Sequence, residues 1–346
     1  MITKIKLTNY RKFKNLELDI TNNIVVLHGD NARGKSTILE AIHIITNGTS
    51  PWTSSDDYIN TEQDESEKFS RVEITEKEKI YSFTKDNSRR VFKIDNHITT
   101  PKKFFGQHSS IIFNPEQIEI LMISPSKRRD FLDEVISEIN YEYAETLTQF
   151  KKVLRQRNAY LKKLSKKFYE QGIIARNDTQ LNFWTNEFVK LSKEIQGKRE
   201  NLTKKLSFEK FHLDYIHSNK KDSLENEIEN SKKRDIATGY TNIGPHRDDW
   251  EIINGKNIKR FGSRGEKRLA IGQLLFKVQD LINCELGYYP ILLLDDISSE
   301  LDSKNTKIIF DKKNIVKQQT FITIIKYDEL PKDILKQAQL IDLNTL

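Results

Sequence analysis

One eight-residue stretch constrains this chain more than any other. Gly29-Asp30-Asn31-Ala32-Arg33-Gly34-Lys35-Ser36 matches the pattern G-x-x-x-x-G-K-[ST]. That pattern works only between a strand and a helix. Ile24-Val25-Val26-Leu27 reads as a short buried strand just before it, and Thr37-Ile38-Leu39-Glu40-Ala41-Ile42 as the start of a helix just after it. In that setting the backbone N–H groups of residues 29–36 wrap a phosphate, and the helix N-terminus adds its positive end. Lys35 reaches the β- and γ-phosphates, and the Ser36 hydroxyl can hold Mg²⁺. The chain is expected to bind a nucleotide on an α/β layer.

A second acidic motif supports this. Ile291-Leu292-Leu293-Leu294 is an apolar run of the kind found in parallel sheets covered on both faces, and it ends in Asp295-Asp296. Asp295 is placed to bind Mg²⁺ through water, because that ion dehydrates reluctantly. Asp296 stands where a second carboxylate can orient or deprotonate the attacking water. About 260 residues separate Lys35 from Asp295, far more than a compact nucleotide-binding domain needs. A large segment is inserted between the two halves.

The inserted segment has a different period. Phe131, Val135, Ile139, Tyr143, Leu147, Phe150 and Leu154 recur every three or four residues. The spacing predicts one long helix with Ser126 as its N-cap and a basic outer face reaching about Lys167. Gln171-Gly172 through Asp178-Thr179 breaks the pattern, and Trp184, Phe188, Leu191, Ile195 and Leu202 resume it. Two such stretches read as an antiparallel helical hairpin. Earlier in the chain, residues 51–68 read as a polar loop and residues 70–100 as short antiparallel strands. Ser109–Phe113 and Phe321–Ile325 are further strand candidates.

Composition narrows the partners and the compartment. The 346 residues carry a net charge of +7, which suits an acidic partner such as nucleic acid and suits a solvated lysine-rich surface equally. Lysines and arginines at 151, 152, 155, 157, 162, 163, 166 and 167 have the same two readings, a duplex-lining face or a solvated one. Cys284 is the single cysteine, so no internal disulfide forms, and no Cys/His cluster has zinc spacing. A reducing, cytoplasmic setting fits. Met1–Leu7 alternates like a strand and lacks a signal-peptide stretch. No apolar run approaches the roughly 20 residues needed to cross a bilayer, which excludes a transporter subunit with its own span.

Further motifs carry a family resemblance. Ser263-Arg264-Gly265-Glu266 precedes a helical stretch about 30 residues before the Ile291 strand and is similar to the ABC-type signature. Taken alone, it is a turn with a helix N-cap. Ser298-Ser299-Glu300-Leu301-Asp302 follows the acidic strand as a D-loop does. This order of motifs resembles the SMC-like branch of the ABC ATPases. Gly239 and Thr241-Asn242-Ile243-Gly244-Pro245-His246-Arg247-Asp248-Asp249 resemble the G-x-T-x-x-G-P-H-R-D-D motif of the bacterial RecF family. Asn114-Pro115-Glu116, Ser124–Asp133 and Ile5-Lys6-Leu7-Thr8-Asn9-Tyr10-Arg11 are similar to the same family.

The resemblance implies an α/β fold. It is an ABC-type, SMC-like ATPase head with an antiparallel β subdomain, formed by residues 1–125 and 240–346, and a short helical-hairpin lobe at 126–239. It implies ATP and Mg²⁺ as cofactors and weak DNA-stimulated hydrolysis. It also implies an ATP-dependent homodimer on gapped or single-strand/double-strand junction DNA, where it helps to load a recombinase with other mediator proteins. Arg11, Asn31, Lys35, Ser36 and Thr37 then serve nucleotide and metal, alongside Gly29, Asp30, Ala32, Arg33 and Gly34 of the loop. Ser263, Gly265 and Glu266 serve the partner copy's nucleotide. Asp295, Asp296 and Asp302 serve metal, hydrolysis and the dimer contact. Rival readings are an SMC-like ATPase subunit of another DNA-processing complex and an ABC-type energy subunit.

The chain departs from these patterns in three places. Asp stands at 296 where many relatives carry Glu, and Arg264 replaces the signature glycine. Ile324, Ile325 and Lys326 follow Thr323 where further threonines are usual, leaving the phosphate-sensing switch unassigned. Gln107, Glu116 and Gln117 compete for the Q-loop role. His246 and Arg247 have two readings, contact with phosphate or a turn whose Arg pairs with Asp248 or Asp249.

Overall fold

The computed structural model describes residues 1–52, 69–86, 89–105, 108–114, 122, 124–171, 178–208, 210–219, 222–296, 308 and 310–346. The chain divides into two units, Met1–Ile118 with Ile271–Leu346, and Glu119–Ala270.

The first unit holds two sheets around one helix. Strands β1 (Ile2–Tyr10), β2 (Phe13–Asp19), β4 (Phe69–Glu76), β5 (Lys79–Asp86), β6 (Arg90–Ile94) and β7 (His97–Thr99) form an antiparallel sheet in the order β2-β1-β4-β5-β6-β7. Strands β3 (Ile24–His28), β8 (Ser110–Phe113), β11 (Ile291–Leu294), β12 (Thr320–Ile324) and β13 (Ala338–Asp342) form a parallel sheet in the order β13-β3-β12-β11-β8. Helix α1 (Lys35–Asn47) follows β3 after the loop at residues 29–34. Alternation puts Ile5, Leu7 and Val72 on the inner face of the antiparallel sheet. They join Ile38 and Ile42 of α1 with Val25, Leu293 and Phe321 of the parallel sheet in one buried cluster. Strands β3, β11 and β12 are buried almost throughout because both their faces are covered.

The second unit is mainly helical. Its helices are α2 (Pro125–Ile139), α3 (Tyr141–Gln171), α4 (Thr179–Leu206) and α5 (Leu224–Thr238). Helices α3 and α4 run antiparallel: Thr146 bonds Glu194, Arg157 bonds Thr185 and Tyr160 bonds Asp178, so one index falls as the other rises. Asp178 caps α4 by accepting from the Leu181 N–H at 2.9 Å. Strands β9 (His212–Ile216) and β10 (Asp249–Ile253) form an antiparallel pair.

Three expectations need correction. The single long helix is two helices. Asn140 is extended and ends α2, and its side chain accepts from the Tyr143 N–H at 3.0 Å, starting α3. The N-cap of α2 is Ser124, not Ser126. The unit boundaries also move. Residues 240–270, expected in the head, group with the helical unit because β10 pairs with β9 and Arg128 of α2 grips Asp249 with two bonds of 2.6 and 2.7 Å. The second boundary falls inside α6 (Arg264–Leu286).

Candidate nucleotide-binding site

The loop expected to hold phosphate joins β3 to α1. Gly34 sits at φ 93°, in the left-handed region, as the residue before the helix. A Cβ there would lie 2.5 Å from the Phe13 ring, so both conformation and space demand glycine. The Lys35 ammonium donates to the carbonyls of Gly29 at 2.7 Å and Asp30 at 2.8 Å. Burial lowers the Lys35 pKa, and Asp296, Asp295 and Asp30 oppose that shift. Asn31, Ala32, Gly34, Lys35, Ser36 and Thr37 line a cleft of about 220 Å³ that also takes in Asp296 and Thr323. Arg33 is exposed. The N–H of Asp30 donates to the Asn344 side chain at 3.1 Å.

The two acidic residues meet the loop because of strand order. β12 lies between β3 and β11, so its last residues stand between the loop and the end of the acidic strand. The Ser36 hydroxyl donates to Asp295 Oδ1 at 2.9 Å, and the Thr323 hydroxyl to the same oxygen at 2.6 Å. The Asp296 N–H donates to Thr323 Oγ1 at 3.0 Å, with Asp296 in the left-handed region at φ 45°. Burial pushes the Asp295 pKa up, beyond the lowering by the two hydroxyls and Lys35. The hydroxyl and carboxylate facing each other suit a hard cation that keeps most of its water. Thr323 is thus part of the site despite the altered residues after it. Its one signal in the sequence was a hydroxyl inside the apolar run Phe321–Ile325.

Arg11 and Lys12 form the turn between β1 and β2. Arg11 makes a two-pronged pair with Glu40 of α1, Nε to Oε2 at 3.0 Å and Nη2 to Oε1 at 2.7 Å. Ser50 also donates to Glu40, at 2.6 Å. Arg11 does not line the cleft. Its neighbour Lys12 does, and donates to the Ala32 carbonyl at 2.5 Å. Sequence reasoning passed over Lys12, whose signal was a cation in a tight turn beside Arg11.

The Ser263–Glu266 stretch lies in the second unit and forms a capping box. Ser263 Oγ accepts from the Glu266 N–H at 3.2 Å, and Glu266 Oε2 accepts from the Ser263 N–H at 2.7 Å. These bonds and Lys256 lower the Glu266 pKa to about 2. Gly265 lies in the first turn of α6. Asp302, Gln107, Glu116 and Gln117 lie outside the described residues.

The stretch from Thr241 to Asp249 organises the second unit from within. Asp248 accepts from Gln196, the Tyr215 hydroxyl and the Ser218 N–H, each at 2.7 Å. Asp249 is held by Arg128. The His246 Nε2–H donates to the Thr241 carbonyl at 3.0 Å, and burial lowers its pKa to about 4. Gly244 has φ 132°, and a Cβ there would meet the Phe188 ring at 2.5 Å. Among the described residues Arg247 pairs with neither aspartate and is exposed. Arg157, one of the basic residues read as duplex-lining or solvated, is neither. It is buried between Asp235 at 2.9 Å and Thr241 at 2.6 Å.

Comparison with known proteins now adds to this geometry. An AAA domain family model matches residues 4–341. The chain is 35% identical to the DNA replication and repair protein RecF of Clostridium kluyveri, over 98% of this chain and 96% of that protein. It is 32% identical to that of Clostridium tetani, over 97% and 96%. Among solved structures it is similar to the recombination mediator protein RecF with ATP in the RecFOR pathway, with TM-score 0.78 and 28% identity, covering 94% of this chain and 93% of that one. An Smc head domain from Pyrococcus furiosus shares the fold at TM-score 0.51 and 18% identity, covering 99% and 92%. Matched along nearly its whole length, this chain belongs to the RecF family.

Proposed function

We propose that this protein is an ATP-dependent DNA-binding protein of replication and recombinational gap repair, and that ATP clasps two copies together on DNA. The observation that carries this is the meeting of Ser36, Asp295 and Thr323 at the end of the phosphate loop, on a chain matched throughout by RecF proteins. Lys35 and the loop N–H groups hold the β- and γ-phosphates. Ser36 and Asp295 are the residues that would hold Mg²⁺, which when bound neutralises phosphate charge. Asp296 orients the attacking water. Asp carries its carboxylate on a shorter arm than Glu, in keeping with slow turnover. The exposed start of α6, with Ser263, Gly265 and Glu266, meets the nucleotide of a second copy, and Asp302 belongs to the same dimer contact. Hydrolysis releases the pair. The DNA is gapped or carries a single-strand/double-strand junction, other recombination mediator proteins act with it, and the setting is the cytoplasm.

Size-exclusion chromatography with ATP, ADP or no nucleotide, each with and without gapped duplex, tests this. ATP is expected to shift the protein to a dimer, and Lys35→Arg to abolish the shift. An elution volume that ATP leaves unchanged, with or without gapped duplex, overturns the clasp. So does a Lys35→Arg variant that dimerises like the parent.

A further inference from the structure

We infer that Lys12 is a nucleotide-contacting residue, a second cation delivered to the polyphosphate chain from the turn of the β1–β2 hairpin. This rests on the reading of the cleft as a nucleoside triphosphate site.

Three observations converge on it. First, the turn is pressed against the phosphate loop: the Phe13 ring and the Lys12 Cδ occupy the space beside Gly34, at 2.5 and 3.0 Å from where a Cβ would stand. Second, the Lys12 side chain lines the cleft, and its ammonium is anchored at the rim on the Ala32 carbonyl, 2.5 Å away. Ala32 is itself in the left-handed region, at φ 61°. That carbonyl leaves two of the three ammonium donors for other acceptors. Third, the adjacent cation is engaged elsewhere, since both prongs of the Arg11 guanidinium rest on Glu40. The other side chains at the cleft include the carboxylate of Asp296, with Asp295 close behind it, so Lys35 faces these two negative groups and Asp30 before any phosphate arrives. A second cation corrects that balance. Lys12 is exposed and its stem is flexible, so the ammonium can turn from the carbonyl to phosphate oxygens with little rearrangement.

The test is nucleotide affinity of the full-length protein, measured with a fluorescent ATP analogue and competed with ATP and ADP. Lys12→Met is expected to weaken ATP binding about fivefold at low salt, and Lys12→Glu further, with Lys12→Arg near the parent. The difference between parent and Lys12→Met should shrink as salt rises. The alternative is that Lys12 only braces Ala32. Lys12→Gln separates the two, because it keeps a donor but no charge. Weak binding by Lys12→Gln supports phosphate contact, and parent-like binding overturns it. Equal ATP affinity of the parent and Lys12→Met, with Lys35→Ala impaired, also overturns the inference while leaving the nucleotide site standing. If the parent itself fails to bind ATP, the underlying reading falls and this one with it. Thermal melting without nucleotide, unchanged across the series, excludes misfolding as the cause.

Discussion

Two clusters of buried charge, one in each unit, are built in opposite ways. In the helical unit, Arg199 grips Asp133 with two bonds of 2.8 Å and donates to the Pro245 carbonyl at 2.7 Å, while Tyr143 donates to the same aspartate. Arg157 with Asp235, and Asp248 with its three donors, are equally engaged. The phosphate-loop cluster gathers Lys35, Asp295 and Asp296, with the Ser36 and Thr323 hydroxyls on Asp295. There burial prevails: it raises the Asp295 pKa and lowers that of Lys35. A fully paired charge fixes architecture. A charge whose ionised form is disfavoured is held ready for a ligand that will favour it.

The sharpest way to break this contrast is to remove one member of each kind. Arg199→Met leaves Asp133 buried without its main partner, and should lower unfolding stability by about 3–5 kcal/mol in urea melts. A loss below ~1 kcal/mol would mean the pair is not architectural. Lys35→Ala should do the reverse. ATP affinity should fall on the order of a hundredfold, about 2.7 kcal/mol, with the nucleotide-free unfolding midpoint close to the parent's. A variant that unfolds before it can bind would erase the distinction.

Acid offers a third test, because each unit buries one neutral histidine. His43 and His246 both have pKa values lowered to about 4 by burial, against an ordinary 6.5. The folded state favours the neutral ring. Its contribution is therefore present above pH 6.5 and is lost as pH falls from 6.5 through 4. Each should remove stability on the order of 2 kcal/mol across that range. His246→Gln keeps a donor for Thr241 and should flatten the pH slope, so an unaltered slope would count against burial as the cause. The smallest effect concerns Asp295. Its raised pKa means that ionising it opposes folding of the nucleotide-free protein at neutral pH. Asp295→Asn should raise the melting temperature at pH 7, with the gain shrinking as pH falls toward the ordinary aspartate range, while nucleotide turnover is lost. A melting temperature that drops would show Asp295 to be a structural anchor.

How much of this was legible depended on range along the chain. The phosphate loop and the Ile291–Asp296 strand could be read because each is complete within a few residues. The antiparallel strands and helical stretches showed their period. The break at Asn140 did not, because Phe131, Val135, Ile139, Tyr143 and Leu147 keep their spacing of four across it. One capping side chain there outweighs a continuous apolar stripe. The Thr241–Asp249 stretch allows two readings in the sequence, a phosphate contact or a turn, and in the fold it is largely a keystone, since its acids find partners from α2, α4 and β9 that no local pattern reveals. Thr323 and Lys12 were obscure for a related reason. Their importance comes from the β3-β12-β11 strand order and from a hairpin turn folding back, both properties of tertiary structure.

The placement of β12 between β3 and β11 has a consequence for biosynthesis. Ser36 leaves the ribosome long before Thr323, and at typical translation speeds the interval is roughly 15–60 s. Until β11 and β12 arrive, the phosphate loop lacks the carboxylate and the hydroxyl that complete it. A nascent or truncated chain therefore cannot build this cleft, however well its first hundred residues have folded. Any stabilisation that a nucleotide confers through these groups is therefore reserved for chains made at least through Thr323.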